Sequence, residues 1–216
     1  MLTFIEHNTS ETTSACVIWL HGLGADGHDF APVVEMLNLP HIRFILPHAP
    51  HKKITMNNGY EMRAWYDLFG LDANTPQDAT GIEQTRQEIH QLITYANQLG
   101  IPTKRIALAG FSQGGAIALH TALRYHEPLA GVLALSTYLP LKQSLQYEKS
   151  AANQSIPIFM AHGIMDEVIR LETSLQSRKT LEENGFKVDW HEYAMPHSVN
   201  LEEIEDIRLF LNHILP

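Results

Sequence analysis

Residues 105–119, Arg-Ile-Ala-Leu-Ala-Gly-Phe-Ser-Gln-Gly-Gly-Ala-Ile-Ala-Leu, decide the architecture. The part up to Ala109 is short and nearly continuous in apolar residues, as a strand buried on both faces should be. The part from Gln113 reads as a closely packed helix. Between them lies Gly110-Phe111-Ser112-Gln113-Gly114, the pattern G-x-S-x-G. A serine on a sharp strand-to-helix turn has a strained backbone. Side chains two residues before or after it would meet neighbouring backbone, so both flanking positions require glycine. A serine in an ordinary glycine-rich turn would leave the strand before it and the helix after it unexplained.

Outward from this turn, short apolar runs alternate with longer amphipathic stretches, the rhythm of a mostly parallel sheet flanked by helices. The runs predict strands at Leu2–Glu6, Cys16–Leu20, Ile42–Leu46, Arg105–Ala109, Gly131–Leu135, Pro157–Ala161 and Val188–Tyr193. Helices are expected at Asp29–Leu37, Gly81–Leu99, Gln113–Tyr125, Leu171–Glu183 and Leu201–Ile214. In the last, Ile204, Ile207, Leu211 and Ile214 form the apolar stripe, and Asn200 or Ser198 can cap its start. Pro47 to Thr80 resists this reading. It is long, rich in Asn, Gly and His, and only weakly periodic, so it reads either as an active-site loop or as a small hairpin packing Trp65 and Tyr66 into the core.

A serine hydroxyl needs a base to attack at neutral pH. On a strand-turn-helix elbow, the acid and the histidine follow the serine in chain order. Asp166 stands just past the strand at Pro157–Ala161, on the rim where Ser112 sits. His197 follows the last strand and can reach over the same rim. The oxyanion of an acyl intermediate needs fixed N–H donors. One is the amide of Gln113. The other is expected in the glycine-rich turn His21-Gly22-Leu23-Gly24 after an early strand, at the amide of Leu23. Trp65, Tyr66, Leu68, Phe69 and Leu71 are the expected substrate-binding side chains.

With 216 residues the chain is expected to form a single domain, 1–216, with residues 47–80 as an active-site loop region. A net charge of −9 argues against nucleic acid as a partner. The lone cysteine, Cys16, excludes an internal disulfide and fits a cytoplasmic setting. No basic leader precedes an apolar stretch, and no run is long enough for stable membrane insertion. The chemistry asks for no cofactor and no metal. No H-E-x-x-H spacing accompanies the thirteen histidines.

Trp19-Leu20-His21-Gly22-Leu23-Gly24, Trp65-Tyr66-Asp67, Gly110-Phe111-Ser112-Gln113-Gly114-Gly115, Leu135-Ser136-Thr137-Tyr138-Leu139-Pro140 and His162-Gly163 with Asp166 resemble one family, the acyl-protein thioesterases and small carboxylesterases. The resemblance runs from about Val17 to the last helix. It implies an α/β-hydrolase fold without a large cap domain, activity on carboxylic esters or fatty acyl thioesters, and often a homodimer. The chain departs from the family at Pro196, where many members have Gly, and at Arg170, where many have Pro. The leading expectation is a serine carboxylesterase acting on short-to-medium acyl esters through Ser112, His197 and Asp166. The alternatives are an acyl-protein thioesterase or lysophospholipase acting on long acyl chains, and a non-catalytic binding protein that keeps the fold. The expected partners are a small-molecule or lipid ester and an acylated protein.

Overall fold

The computed structural model describes residues 1–10, 13–70 and 75–216. Its strands are β1 (Phe4–His7), β2 (Ala15–Leu20), β3 (Ile42–Pro47), β4 (His51–Ile54), β5 (Tyr60–Arg63), β6 (Ile106–Phe111), β7 (Gly131–Leu135), β8 (Ile158–Gly163) and β9 (Val188–Tyr193). Its α-helices are α1 (Ala31–Leu37), α2 (Ala79–Gln98), α3 (Gln113–Ala122), α4 (Leu145–Glu148), α5 (Leu171–Glu183) and α6 (Leu201–Ile214). Seven strands form one sheet in the order β1-β3-β2-β6-β7-β8-β9, and β4 and β5 form a separate hairpin. Only β1 runs antiparallel in the large sheet.

The period of two along each strand divides the core. In β2, Cys16, Ile18 and Leu20 face one side with Ile106 and Leu108 of β6, under α2 and α3. Ala15, Val17 and Trp19 face the other with Ala107 and Ala109, under α1 and α6. Burial on both faces explains why these strands read as unbroken apolar runs. Burial also pushes the Cys16 thiol far up, so it stays protonated and inert.

The stretch from Pro47 to Thr80 holds the hairpin. Its turn carries Asn58 at φ 55° and Gly59 at φ 76°, the left-handed pair that closes a tight reversal. Trp65 is completely buried. Its indole N–H donates to the carbonyl of His21 at 2.8 Å, and its own carbonyl accepts from the Thr85 hydroxyl. The core-packing reading therefore holds for Trp65, whereas Tyr66, equally buried, also reaches the functional cavity.

Candidate active site

β6 delivers Ser112 to the carboxyl edge of the sheet, where α3 begins. Ser112 sits at φ 53°, ψ −121°, a region that side chains rarely occupy and that persists only when the surroundings impose it. Two contacts impose it here. A Cβ on Gly110 would lie 2.3 Å from the backbone carbon of Gly114. A Cβ on Gly114 would lie 2.3 Å from the carbonyl oxygen of Leu20. The Ser112 amide donates to the Leu135 carbonyl at 2.9 Å, and the Thr137 hydroxyl donates to the Ser112 carbonyl at 2.6 Å.

β8 and β9 bring the other two groups to the same edge. His197 Nδ1 lies 2.6 Å from Asp166 Oδ2. A carboxylate only accepts, so Nδ1 carries the proton and Nε2 is left as the basic nitrogen. The second oxygen of Asp166 accepts from the amides of Val168 and Ile169, each at 2.9 Å. His162 adds a contact at 3.4 Å to Oδ2 while bonding the Ile169 carbonyl at 2.7 Å. Burial holds the His162 imidazole below its usual range. Pro196 does not displace His197. The Met195 carbonyl accepts from the Met165 amide at 3.1 Å. A Cβ on Gly163 would stand 2.3 Å from the Met195 carbonyl oxygen and 2.5 Å from that of Pro196. The two loops thus interlock by close backbone approach.

Ser112 and His197 line one cavity with Gly22, Leu23, Phe111 and Gln113. The His197 ring packs on Phe111, the neighbour of Ser112, at a centroid distance of 4.6 Å. Among the described residues no hydrogen bond joins the Ser112 hydroxyl to the imidazole. Such bonds are often long before substrate arrives.

The amides of Leu23 and Gln113 donate to no acceptor among the described residues, while the neighbouring amides of Gly24 and Ala25 are bonded, to the Arg63 and Gly22 carbonyls. Gln113 is further fixed by its side chain, which accepts from the Trp65 amide and donates to the Tyr66 carbonyl, both at 2.8 Å. His21 braces the Leu23 loop. Its Nδ1 bonds the Gly22 carbonyl at 2.7 Å, and its Nε2 accepts from the Ala49 amide at 3.0 Å. Burial lowers its pKa to about 4, so it holds these bonds as a neutral ring.

Tyr66 and Leu68 line this cavity and a larger one beside it, which Phe69 also borders. Trp65 lines neither, because its ring is spent on core packing and on the His21 carbonyl. Leu71 lies outside the described residues. Tyr138, Val168 and Ile169 border both cavities and are not among the substrate-binding side chains expected from sequence. Val168 and Ile169 could have been suspected from their place directly after Asp166.

Asp26, His28 and His48 approach one another closely enough to hold a metal ion. As they stand, they tie a turn. Asp26 accepts from the amide of His28 at 2.8 Å, and Nδ1 of His48 accepts from the Gly27 amide at 3.0 Å. The grouping joins residues from separate loops, which spacing along the chain does not reveal.

A mostly parallel sheet with helices on both faces and a serine elbow at its carboxyl edge defines an α/β hydrolase. The phospholipase/carboxylesterase profile matches residues 3–215, and the chain belongs to that family. It is a carboxylic ester hydrolase. It is 41% identical to acyl-protein thioesterase 1 of Neurospora crassa over 94% of this chain and 88% of that protein. It is 39% identical to acyl-protein thioesterase 1 of Yarrowia lipolytica over 90% of this chain and 89% of that one. The crystal structure of Zea mays acyl-protein thioesterase 2 superposes with a TM-score of 0.91 at 26% identity, covering all of both chains. These relatives favour the thioesterase alternative over the short-to-medium carboxylesterase expected first. No helix among the described residues is long and apolar enough to cross a membrane.

Proposed function

We propose that this chain hydrolyses acyl thioesters and esters in the manner of an acyl-protein thioesterase, with Ser112 as nucleophile, His197 as general base and acid, and Asp166 as its partner. One observation carries the reading. A serine in a strained elbow, an imidazole polarised by a buried carboxylate and two unengaged amides surround a single cavity.

In this reading the Ser112 hydroxyl attacks the acyl carbonyl carbon while Nε2 of His197 takes its proton. The bond from Asp166 holds the ring in the required tautomer and stabilises the imidazolium. Negative charge moves onto the former carbonyl oxygen, where the amides of Leu23 and Gln113 await it. Such donors contribute through being fixed beforehand, and losing one costs about 3 kcal/mol. The tetrahedral intermediate expels the thiol or alcohol, which takes the proton from His197. Water then attacks the acyl-serine with His197 again as base, which releases the acid and restores the serine.

Two features support the thioesterase reading. The curated relatives at about 40% identity carry that name, and the cavity at the nucleophile is walled mainly by apolar side chains, among them Leu23, Leu68, Phe111, Val168 and Ile169, which suit an acyl group. The test uses a fluorophosphonate probe and two substrates. Wild type takes the probe, and Ser112→Ala does not. A palmitoylated cysteine peptide is turned over faster than p-nitrophenyl butyrate. A wild type that the probe leaves unlabelled would move the protein to the non-catalytic class.

A further inference from the structure

The catalytic cavity encloses about 260 Å³, below the range of about 300–1,000 Å³ usual for small-molecule sites. The neighbouring cavity encloses about 920 Å³. The two share one partition made by Tyr66, Leu68, Tyr138, Val168 and Ile169. Across it the hydroxyls of Tyr66 and Tyr138 meet at 2.7 Å, between residues 72 apart in the chain. We propose that this hydroxyl pair is a gate that sets acyl-chain preference: short chains fit on the Ser112 side, and long chains enter the second cavity only by parting the two tyrosines. The proposal rests on the hydrolase reading above and deepens it.

The two sides of the gate differ in rigidity. Tyr66 is held through its backbone. Its carbonyl accepts from the Gln113 side chain, which also binds the Trp65 amide, and its ring is fully buried. Tyr66 is therefore the fixed post. Tyr138 is half-buried, on a segment between two residues with left-handed backbone, Ser136 at φ 46° and Leu141 at φ 47°. The backbone around it is held, with the Leu139 amide donating to the Ser177 hydroxyl at 2.9 Å and the Leu141 amide to the Gln77 side chain at 2.7 Å, so the movement open to Tyr138 is rotation of its half-buried side chain. Tyr138 is the leaf. Burial raises the pKa of both phenols, so the bond joins two neutral groups throughout the working range of pH. Beyond the partition, Leu139, Leu141 and Phe69 offer apolar surface to a chain end, within a cavity whose lining is otherwise largely polar and includes Asp67, Gln77, Lys142, Glu167, Arg170 and Glu172.

Parting the pair costs one net hydrogen bond, which an acyl chain cannot replace because it has no polar atom at that depth. Removing either hydroxyl removes that cost. The experiment compares kcat/KM for p-nitrophenyl palmitate and butyrate in wild type, Tyr66→Phe, Tyr138→Phe and the double variant. The palmitate-to-butyrate ratio is expected to rise about fivefold in each single variant, the size of one net hydrogen bond. The double variant should show the same rise rather than the product, because both substitutions delete one bond. An unchanged or lowered ratio in both folded single variants overturns the gate, as does a multiplied rise in the double variant. A parallel titration of the Ser112→Ala protein, with and without Tyr138→Phe, measures palmitate and octanoate binding by calorimetry. It reads the gate without catalysis. A palmitate-selective gain there supports the gate even if the wild type proves inert, and equal affinities overturn it even if the wild type is active.

Discussion

At Ser112 the site is built from atoms that cannot yield, and at His197 it is built from bonds that can. The elbow lies within five residues, and its geometry follows from backbone packed where a Cβ would stand. The histidine depends on an aspartate 31 residues away, on two amides that hold that aspartate, and on two interlocked loops. The difference teaches that one site can have a sterically specified half and a hydrogen-bonded half. The first should fail abruptly and as a matter of folding. The second should fail chemically in a fold that survives.

Substituting on each side tests this division. Asp166→Asn keeps an oxygen for the Val168 and Ile169 amides but no longer favours a proton on Nδ1 of His197. We expect kcat to fall by about 10⁴-fold with little loss of stability, measured by steady-state kinetics beside thermal unfolding. A fall below tenfold would remove Asp166 from the mechanism. Gly114→Ala is the converse case. Its methyl would meet the Leu20 carbonyl, which belongs to a central strand. The expected loss is more than about 4 kcal/mol of stability in urea titration, and a midpoint near that of wild type would contradict the steric account.

Helix α6 supports the hydrogen-bonded half, and two smaller effects probe it. Glu203 is fully buried, and burial raises its pKa from 4.5 to about 8. The folded protein keeps this proton to about pH 8, whereas the unfolded chain loses it near 4.5. Folding therefore takes up a proton within that window, and stability falls as pH rises through it. At about 1.4 kcal/mol per unit of pKa, Glu203→Gln should gain on wild type by on the order of 4 kcal/mol between pH 5 and pH 9. Parallel stability curves for the two proteins would refute the buried acid. Smallest is Asn200→Ala. The Asn200 side chain accepts from the Glu203 amide at 2.8 Å as the N-cap of α6, and its loss should cost about 1 kcal/mol. If kcat drops far more than stability does, the His197 loop depends on the cap more strongly than its bond to Asp166 implies.

The seven strands of the large sheet stand where apolar runs were read, with ends moved by a residue or two, as at β1 (Phe4–His7) and β8 (Ile158–Gly163). The hairpin β4–β5 lies in the stretch whose sequence leaves a loop and a hairpin both open. Its strands, His51–Ile54 and Tyr60–Arg63, are largely exposed and polar, so no buried face writes an alternation into them. The Asn58-Gly59 pair is the local signal of the reversal. α4, four residues long, is too short to show a period.

The sequence alone determined where the fold would turn and which residue types stand at those turns. A G-x-S-x-G turn between an apolar strand and a small-residue helix states its own geometry, because the constraints act between neighbours along the chain. The places of Ser112, Asp166 and His197 just past the strands β6, β8 and β9 followed from the same local punctuation. Only tertiary structure decided what surrounds those residues: that Trp65 turns into the core against the His21 carbonyl, that the Gln113 side chain binds the Trp65 amide, and that Tyr66 meets Tyr138. Those contacts join residues 44 to 72 positions apart. Packing of the whole sheet and its helices brings them together, and no period or spacing along the chain encodes a meeting at that distance.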